Sequence, residues 1–475
     1  MIDVKSQSAS DHSEPAHKVD QANSAAGQFV EIHGEDFYCI RNYDRMPPFL
    51  MNIVSAGDLW MYVSSSGGLT AGRVHAANSL FPYQTVDRLH HCHHDTGPVT
   101  LLRWSREPHG PAFWQPFADR FPRDPHVTRN LYKHVTGNHL IFEEKHALAE
   151  LTFRYHWQTS TSFGFVRTAE IQNEGAVPVT VEVVDGFQNV LPYGVELGTI
   201  QQASCLADAY KYSEVDPQTS LGIFSLTAKI TDRAEAAEVL RANTVWCYGL
   251  DDFDVLLDAD VLSSFAAGGN LRSRSPLTGQ RGNYLVTAGL QIEAGQQQAW
   301  RIVADVGQDY AAVTRLQQVL SSATEPAVHV DHSLREDHCE LLRNLASADG
   351  LQLSGSATAS AHHRANVLFN NMRGGVFVAG YDVATTDFAA FVAARNRQVA
   401  GTQRHWLSQL PATMTTDELA AQADGRNDRD LLRIVYEYLP LTFGRRHGDP
   451  SRPWNQFEIR VRDEQGQRIY HYQGN

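Results

Sequence analysis

Nothing in this 475-residue chain approaches the roughly 20 uninterrupted apolar residues of a membrane-spanning helix, so no membrane partner is expected. Residues 1–27 also lack the apolar block of a secretion signal. They read as a disordered leader, with too little apolar surface to offset the entropy of ordering. Cysteine is scarce. The five residues, Cys39, Cys92, Cys205, Cys247 and Cys339, are odd in number and scattered, which argues against a disulfide framework and suits a reducing cytoplasm. Basic clusters are missing too, and the net charge of −14 argues against a nucleic-acid partner. There is no Walker loop, dinucleotide fingerprint, Gly-x-Ser-x-Gly elbow or zinc-finger spacing. The length, however, exceeds what one hydrophobic core organises, so two or three domains are expected.

From residue 28 to residue 306 the dominant signal is alternation with period two, the mark of strands with one buried face. Over residues 149–158, Ala149, Leu151, Phe153, Tyr155 and Trp157 share one side, and Glu150, Thr152, Arg154, His156 and Gln158 the other. Phe165, Arg167, Ala169 and Ile171 lead to Asn173-Glu174-Gly175, and Val179, Val181 and Val183 follow, which reads as a hairpin. Residues 59–64, 99–104, 284–292 and 300–306 read as further strands. Many strands punctuated by Gly, Pro and Asn point to packed antiparallel sheets, a mostly β domain joined to α structure. Residues 232–240 read as a helical interruption.

Beyond residue 306 the period changes. Val313, Leu316 and Leu320 fit a helix capped by Asp309, and Val330, Leu334, Leu341 and Leu345 a second, so residues 307–350 form a helical linker. Residues 350–360, rich in Gly, Ser and Ala, separate these from helices expected over 361–372 and 387–410. The latter carries Phe388, Phe391, Val392 and Val399 on one face. Phe457, Ile459 and Val461 alternate before a turn, and residues 468–472 return. Residues 351–475 hold too few helices to enclose a core, which leads to the expectation of a truncated helical domain with Phe388, Phe391 and Val392 partly exposed.

Three stretches carry a family resemblance. Met46-Pro-Pro-Phe-Leu-Met-Asn-Ile-Val-Ser55, with Asp58 through the Ser64-Ser65-Ser66-Gly67-Gly68 loop to Arg73 and Phe81-Pro-Tyr83, resembles the opening β-domain of the cellobiose and chitobiose phosphorylase family. Residues 165–175 and 179–185 are similar to paired strands in that family's large, aldose-epimerase-related sandwich. Residues 436–455 resemble uncharacterised relatives of those phosphorylases. The resemblance implies a large antiparallel β-super-sandwich, a helical linker and an incomplete (α/α) barrel. It also implies a cytoplasmic, homodimeric enzyme for an oligosaccharide or disaccharide with β-linked glucose, inorganic phosphate being the co-substrate and no cofactor being needed. In that family a carboxylic acid protonates the glycosidic oxygen while phosphate attacks the anomeric carbon with inversion; a hydrolytic relative activates water with a second carboxylate. The family's acid belongs to a later barrel motif not found here. No catalytic residue therefore carries over, and the chain alone is expected to be inactive. The rival reading is a non-catalytic sugar-binding sandwich module.

The candidate substrate contacts are Arg445, Arg446, His447, Trp454 and Asn455, because guanidinium groups bind phosphate in a bidentate manner and tryptophan stacks on a sugar face. Asp449, the one carboxylate of that loop, is the general-acid candidate. The same composition also fits a loop whose Arg and Asp simply pair with each other. Gly67 and Gly68 allow close backbone approach to a ligand, or a plain turn. Asn370, Asn371 and Arg373 before Gly374-Gly375 fit a helix C-cap, and Trp104, Phe113, Trp114, Phe117 and Phe121 fit the cover of a sheet edge. His90-His91-Cys92-His93-His94-Asp95 offers good zinc ligands, but adjacent ligands seldom converge on one ion without chain reversal. The expectation is a solvated loop and no metal.

Overall fold

The computed structural model describes residues 24–74, 76–107, 109–119, 123–195, 197–228, 240–272, 274–322, 325–347, 356–372, 375–376, 382–435, 438, 457–462 and 468–473. Two antiparallel sheets dominate. The larger has eleven strands in the order Ala26–Ile32, Glu35–Arg41, Val127–His134, Leu140–His146, Leu151–Ser160, Gly164–Asn173, Gln297–Asp309, Arg241–Tyr248, Gly222–Leu226, Lys211–Val215 and Leu277–Thr278. The smaller has five: Asp254–Leu256, Gly282–Ile292, Val179–Val190, Gly97–Arg106 and His109–Trp114. A three-stranded sheet, Leu50–Ile53, Leu59–Ser64 and Leu69–Arg73, shares their core. The first strand begins inside the stretch read as leader; residues 1–23 lie outside the described residues.

Alternation in the sequence becomes a core because one face of each sheet turns inward. Phe153, Tyr155, Trp157, Phe165, Ile171, Trp300 and Ile302 of the larger sheet meet Val179, Val181, Val183, Phe187, Tyr284 and Val286 of the smaller. The outer faces are covered as well, so several strands are buried on both sides. The helices Tyr310–Leu320 and Pro326–Ser347 set Val313, Leu316, Leu320, Val330 and Leu334 against Val166, Trp246 and Val303. The first of these helices is capped as expected, Asp309 Oδ1 accepting from the Ala312 N–H at 2.8 Å. The short helix Val261–Ala266 covers Leu101, Val184 and Leu285 on the smaller sheet. No described helix is long and apolar enough to cross a membrane.

Three expectations change. Residues 165–183 are not a hairpin. Gly164–Asn173 pairs with Leu151–Ser160 and Gln297–Asp309, whereas Val179–Val190 pairs with Gly282–Ile292 and Gly97–Arg106, so the chain crosses from one sheet to the other. Asn173 fastens the crossing: its Nδ2 donates to the carbonyls of Val177 (2.8 Å) and Ile292 (3.0 Å), and its Oδ1 accepts from Gly175 N (3.0 Å) and Arg106 Nη2 (2.6 Å). Residues 387–410 are not one helix but three, Thr385–Arg395, Arg397–Thr402 and Arg404–Gln409. The first break falls at Asn396, whose Oδ1 accepts from Gln398 N and Val399 N and so caps a new helix instead of continuing the old one. Phe388 and Val392 are fully buried rather than exposed, packed with Trp406, Leu419, Leu431, Val435 and Tyr438. Their partners lie within the chain, and all but Trp406 fall in residues given no helical role in the sequence reading. The helix read at 232–240 lies outside the described residues apart from Leu240.

A buried ion pair ties the two sheets together. Arg167 Nη1 lies 2.6 Å from Asp185 Oδ2, and neither side chain is more than 1% exposed. The carboxylate also accepts from Trp300 Nε1 at 2.7 Å and Thr100 Oγ1 at 2.6 Å. Removing one partner of a buried pair strands the other charge, at a cost of about 3–5 kcal/mol. We expect that loss for Arg167→Met in urea denaturation, and Arg167→Met/Asp185→Leu to lose less than the two single variants summed. Additive losses would show that the pair is not coupled.

Several histidines are buried where protonation is penalised. His134 is held down to about 4, by burial first and by nearby His338 second. His156 is held down to about 3, by burial and then by Arg154. His139, whose Nε2 is 3.4 Å from His156 Nδ1, lies well below its ordinary value. In the unfolded chain these groups titrate near about 6.5, so acid protonates the unfolded state first. The stabilising contribution is therefore complete above about pH 6.5 and shrinks as pH falls toward 4 and 3. Tm should drop between pH 7.5 and pH 5, with a shallower slope in His156→Phe; a flat wild-type profile would contradict this.

Candidate functional site

The loop after the strand Leu59–Ser64 is held at both ends. Gly67, at φ +93°, occupies a backbone conformation that side chains resist, and its N–H donates to Ser64 O at 2.9 Å. Ser64 Oγ lies 2.7 Å from His90 Nδ1 and 2.8 Å from Ser66 Oγ, and Ser66 Oγ donates to His90 O at 2.8 Å. The His-rich run is therefore not a free loop. Its first histidine clamps the serine turn, and Cys92 is buried beneath it. Gly68 is required by packing, since a Cβ there would collide with the Leu89 carbonyl and press on Cys92 Sγ.

The opposite wall is the segment after the edge strand His109–Trp114. Phe117 has a φ of +61°, which is uncommon for a bulky residue and signals a constrained site. Glu144 imposes it. This buried carboxylate accepts from Phe117 N (2.7 Å), Trp114 Nε1 (2.8 Å) and Arg129 Nε (2.7 Å), while Arg129 Nη2 donates to Ala118 O (2.7 Å). The Phe117 ring then stands edge-on to Tyr155, with centroids 5.1 Å apart. Glu144 is thus engaged on both oxygens and shapes the wall.

Two hollows flank this wall and meet at Ser66, Phe117, Ala118 and Asp119. One, about 310 Å³, is bounded by Gly67, His93, His94, Gln188 and Arg167. The other, about 820 Å³, is bounded by Tyr43, Asp44, Arg45, Ser65, Arg123 and Arg129. Volumes of roughly 300–1,000 Å³ are those of small-molecule sites. The rims mix carboxylates, guanidinium groups and hydroxyls, a set suited to donating to and accepting from sugar hydroxyls.

Of the residues proposed from sequence, Gly67 lines the smaller hollow, whereas Gly68 serves packing. Arg445, Arg446, His447, Asp449, Trp454 and Asn455 lie outside the described residues, as do Arg373, Phe121 and the side chains of Asn370 and Asn371. Trp114 and Phe117 join the core and Phe113 sits exposed on the edge strand. Glu144, Arg129 and Asp119 were missed. The signal was Glu143-Glu144 directly after the apolar Leu140-Ile141-Phe142, because two acids in a buried strand require cationic partners. Glu143 found Arg154, at 2.7 Å.

Beside this geometry stands one match of sequence. Residues 377–440 match the model of the glycoside hydrolase family 149 insertion domain 1. No curated protein matches the chain. Among solved structures, the chain is similar to a putative kojibiose phosphorylase from human microbiome, at TM-score 0.33 and 8% identity, over 68% of this chain and 37% of that one. It is similar also to a bacterial glucoamylase complexed with acarbose, at TM-score 0.31 and 12% identity, over 90% and 62%. A putative aldose 1-epimerase from Klebsiella pneumoniae aligns at TM-score 0.27 and 9% identity, over 62% and 91%. The chain thus spans 37% of the phosphorylase and 62% of the glucoamylase. Residues 377–440 thus resemble part of a carbohydrate-active, glycoside hydrolase-like protein, and the fold of the chain is the sheet-rich sandwich with helices expected from the sequence.

The two glycines should behave differently on substitution. Gly68→Ala should displace the turn beneath His90, cost about 1–3 kcal/mol by overpacking and expose Cys92. Gly67→Ala meets only Tyr155 Oη, at 3.5 Å, and should cost about 1–2 kcal/mol through backbone strain without moving Cys92. In a thiol-reagent assay, Cys205 and Cys339 are exposed and should react in every variant. One further fast-reacting thiol should appear in Gly68→Ala alone, and equal thiol counts would refute the packing role.

Proposed function

We propose that this chain is the sandwich-bearing portion of a glycoside phosphorylase-like enzyme for β-linked gluco-oligosaccharides or a related disaccharide. The twin hollows at Ser66, Phe117 and Asp119 form its sugar-contacting rim. The observation that carries the reading is the match of residues 377–440 to an insertion domain of a glycoside hydrolase family, in a chain whose sandwich presents a polar cleft of saccharide size. In this proposal residues 28–306 are the sandwich, 307–350 the linking helices, and the helical residues after 351 part of the catalytic region, belonging to an (α/α) barrel. A carboxylic acid gives its proton to the glycosidic oxygen as the bond to the anomeric carbon breaks. A phosphate oxygen forms the new bond to that carbon with inversion, leaving a sugar 1-phosphate and a shortened sugar. The enzyme works in the cytoplasm as a homodimer and needs no cofactor besides the phosphate co-substrate.

The cleft wall supports a binding rather than an acid role here. Glu144 has its oxygens filled, and Arg45 and Arg123 stand exposed at the rim where hydroxyls or phosphate would meet them. Isothermal titration of the chain with cellobiose and longer β-linked gluco-oligosaccharides should show binding, weakened at least tenfold in Arg45→Ala/Arg123→Ala. The chain alone should release no sugar 1-phosphate. Failure of every β-linked gluco-oligosaccharide to bind, or equal affinity in the double variant, would overturn the cleft assignment. Release of sugar 1-phosphate that is lost in Asp449→Asn would move the acid into this chain.

A further inference from the structure

At the mouth of the smaller hollow the short turn Cys92–His94 meets Asp119, which comes from the far wall. Asp119 Oδ2 lies 3.0 Å from His93 Nε2 and 3.6 Å from His94 Nε2. Potential ligand atoms of all three residues fall within 4.8 Å of one another. The two imidazoles lie side by side, 4.0 Å between centroids with 35° between their planes, and present the same nitrogen to the same carboxylate.

Of the rest of the histidine run, His91 is exposed and three members are occupied elsewhere. His90 is bound to Ser64, Cys92 is buried with its thiol toward the Leu69 and Leu89 carbonyls, and Asp95 accepts from the Thr96 hydroxyl at 3.0 Å. The tight turn supplies the chain reversal that neighbouring ligands need, and the third ligand arrives from a distant part of the sequence. We propose that His93, His94 and Asp119 form a binding site for one divalent transition-metal ion of the zinc class.

The geometry suits such an ion. Zinc holds nitrogen and oxygen donors at about 2.0–2.2 Å, so tetrahedral donors stand about 3.4 Å apart, and the observed 3.0 and 3.6 Å bracket that spacing. A two-imidazole, one-carboxylate set favours zinc, copper or nickel over magnesium or calcium, which prefer all-oxygen ligands. His94 and Asp119 are each 62% exposed, so the site is open on one side. A fourth position is left for water or a ligand oxygen entering the hollow, the arrangement of open rather than purely structural sites. Binding there would also fasten the serine turn to the Phe117 wall. The inference stands on this geometry whether or not the cleft holds sugar.

The test uses the full chain without a histidine tag, titrated with zinc by calorimetry and with cobalt(II) by visible absorption. One equivalent should bind, with cobalt bands of a four- or five-coordinate ion, and zinc should raise Tm. His94→Ala and Asp119→Ala should each weaken zinc at least tenfold and abolish the Tm rise, both positions being exposed enough for the variants to fold. His91→Ala, outside the set, should bind as wild type does, and magnesium should give no signal. No zinc binding, or equal weakening by His91→Ala and Asp119→Ala, would overturn the site, the latter showing that the histidine run captures metal without Asp119.

Discussion

The Arg167–Asp185 pair is the constraint on which the sandwich turns. A carboxylate taken out of water survives as a charge only when every lone pair is answered, and Asp185 is answered by groups from three other strands. Thr100 comes from its own sheet; Arg167 and Trp300 come from the facing one. Slipping the strand Gly164–Asn173 or Val179–Val190 by one residue within its sheet would turn Arg167 or Asp185 out of the interior and leave the other unpaired. Apolar packing alone tolerates many registers of valine on valine. This network tolerates one.

The same device recurs at the cleft. Arg167 lies over the Tyr155 ring, 4.9 Å from its centroid, and Tyr155 receives the edge of Phe117. Glu144 holds the Phe117 backbone in its left-handed conformation, where Arg129 also grips the neighbouring carbonyl. A chain of contacts thus runs from the central ion pair to the wall that carries Asp119. Groups intended to meet a ligand are more useful when the scaffold has already fixed them, because less is lost in ordering them on binding. The serine turn, held by His90, is fixed in the same way on the other side.

Much of this architecture was legible. Phe153, Tyr155 and Trp157 announced an inward face by their spacing, Asp309 announced a helix start, and the apolar stripe of Val313 to Leu334 announced helices that do pack on the sheet. What could not be read was the choice of neighbour. Ile171 and Val179 are both inward on either reading, hairpin or crossing, because alternation reports a face and says nothing of which strand lies alongside. Asn173 resolves it only through hydrogen bonds to carbonyls more than a hundred residues away. Asn396 likewise looked like an ordinary helix residue until its side chain took the N–H groups of the next turn.

By itself, then, the sequence determined the classes of element: strands up to residue 306, helices after it, and a final pair of strands at Phe457–Arg462 and Arg468–Gln473. Those properties are local, set by side-chain period and short strings of residues. Tertiary structure alone decided which charges are buried together, why Gly68 must lack a side chain, and that His93 and His94 face Asp119. Each of these depends on chain segments distant in sequence arriving at one point, and local propensity carries no record of such meetings.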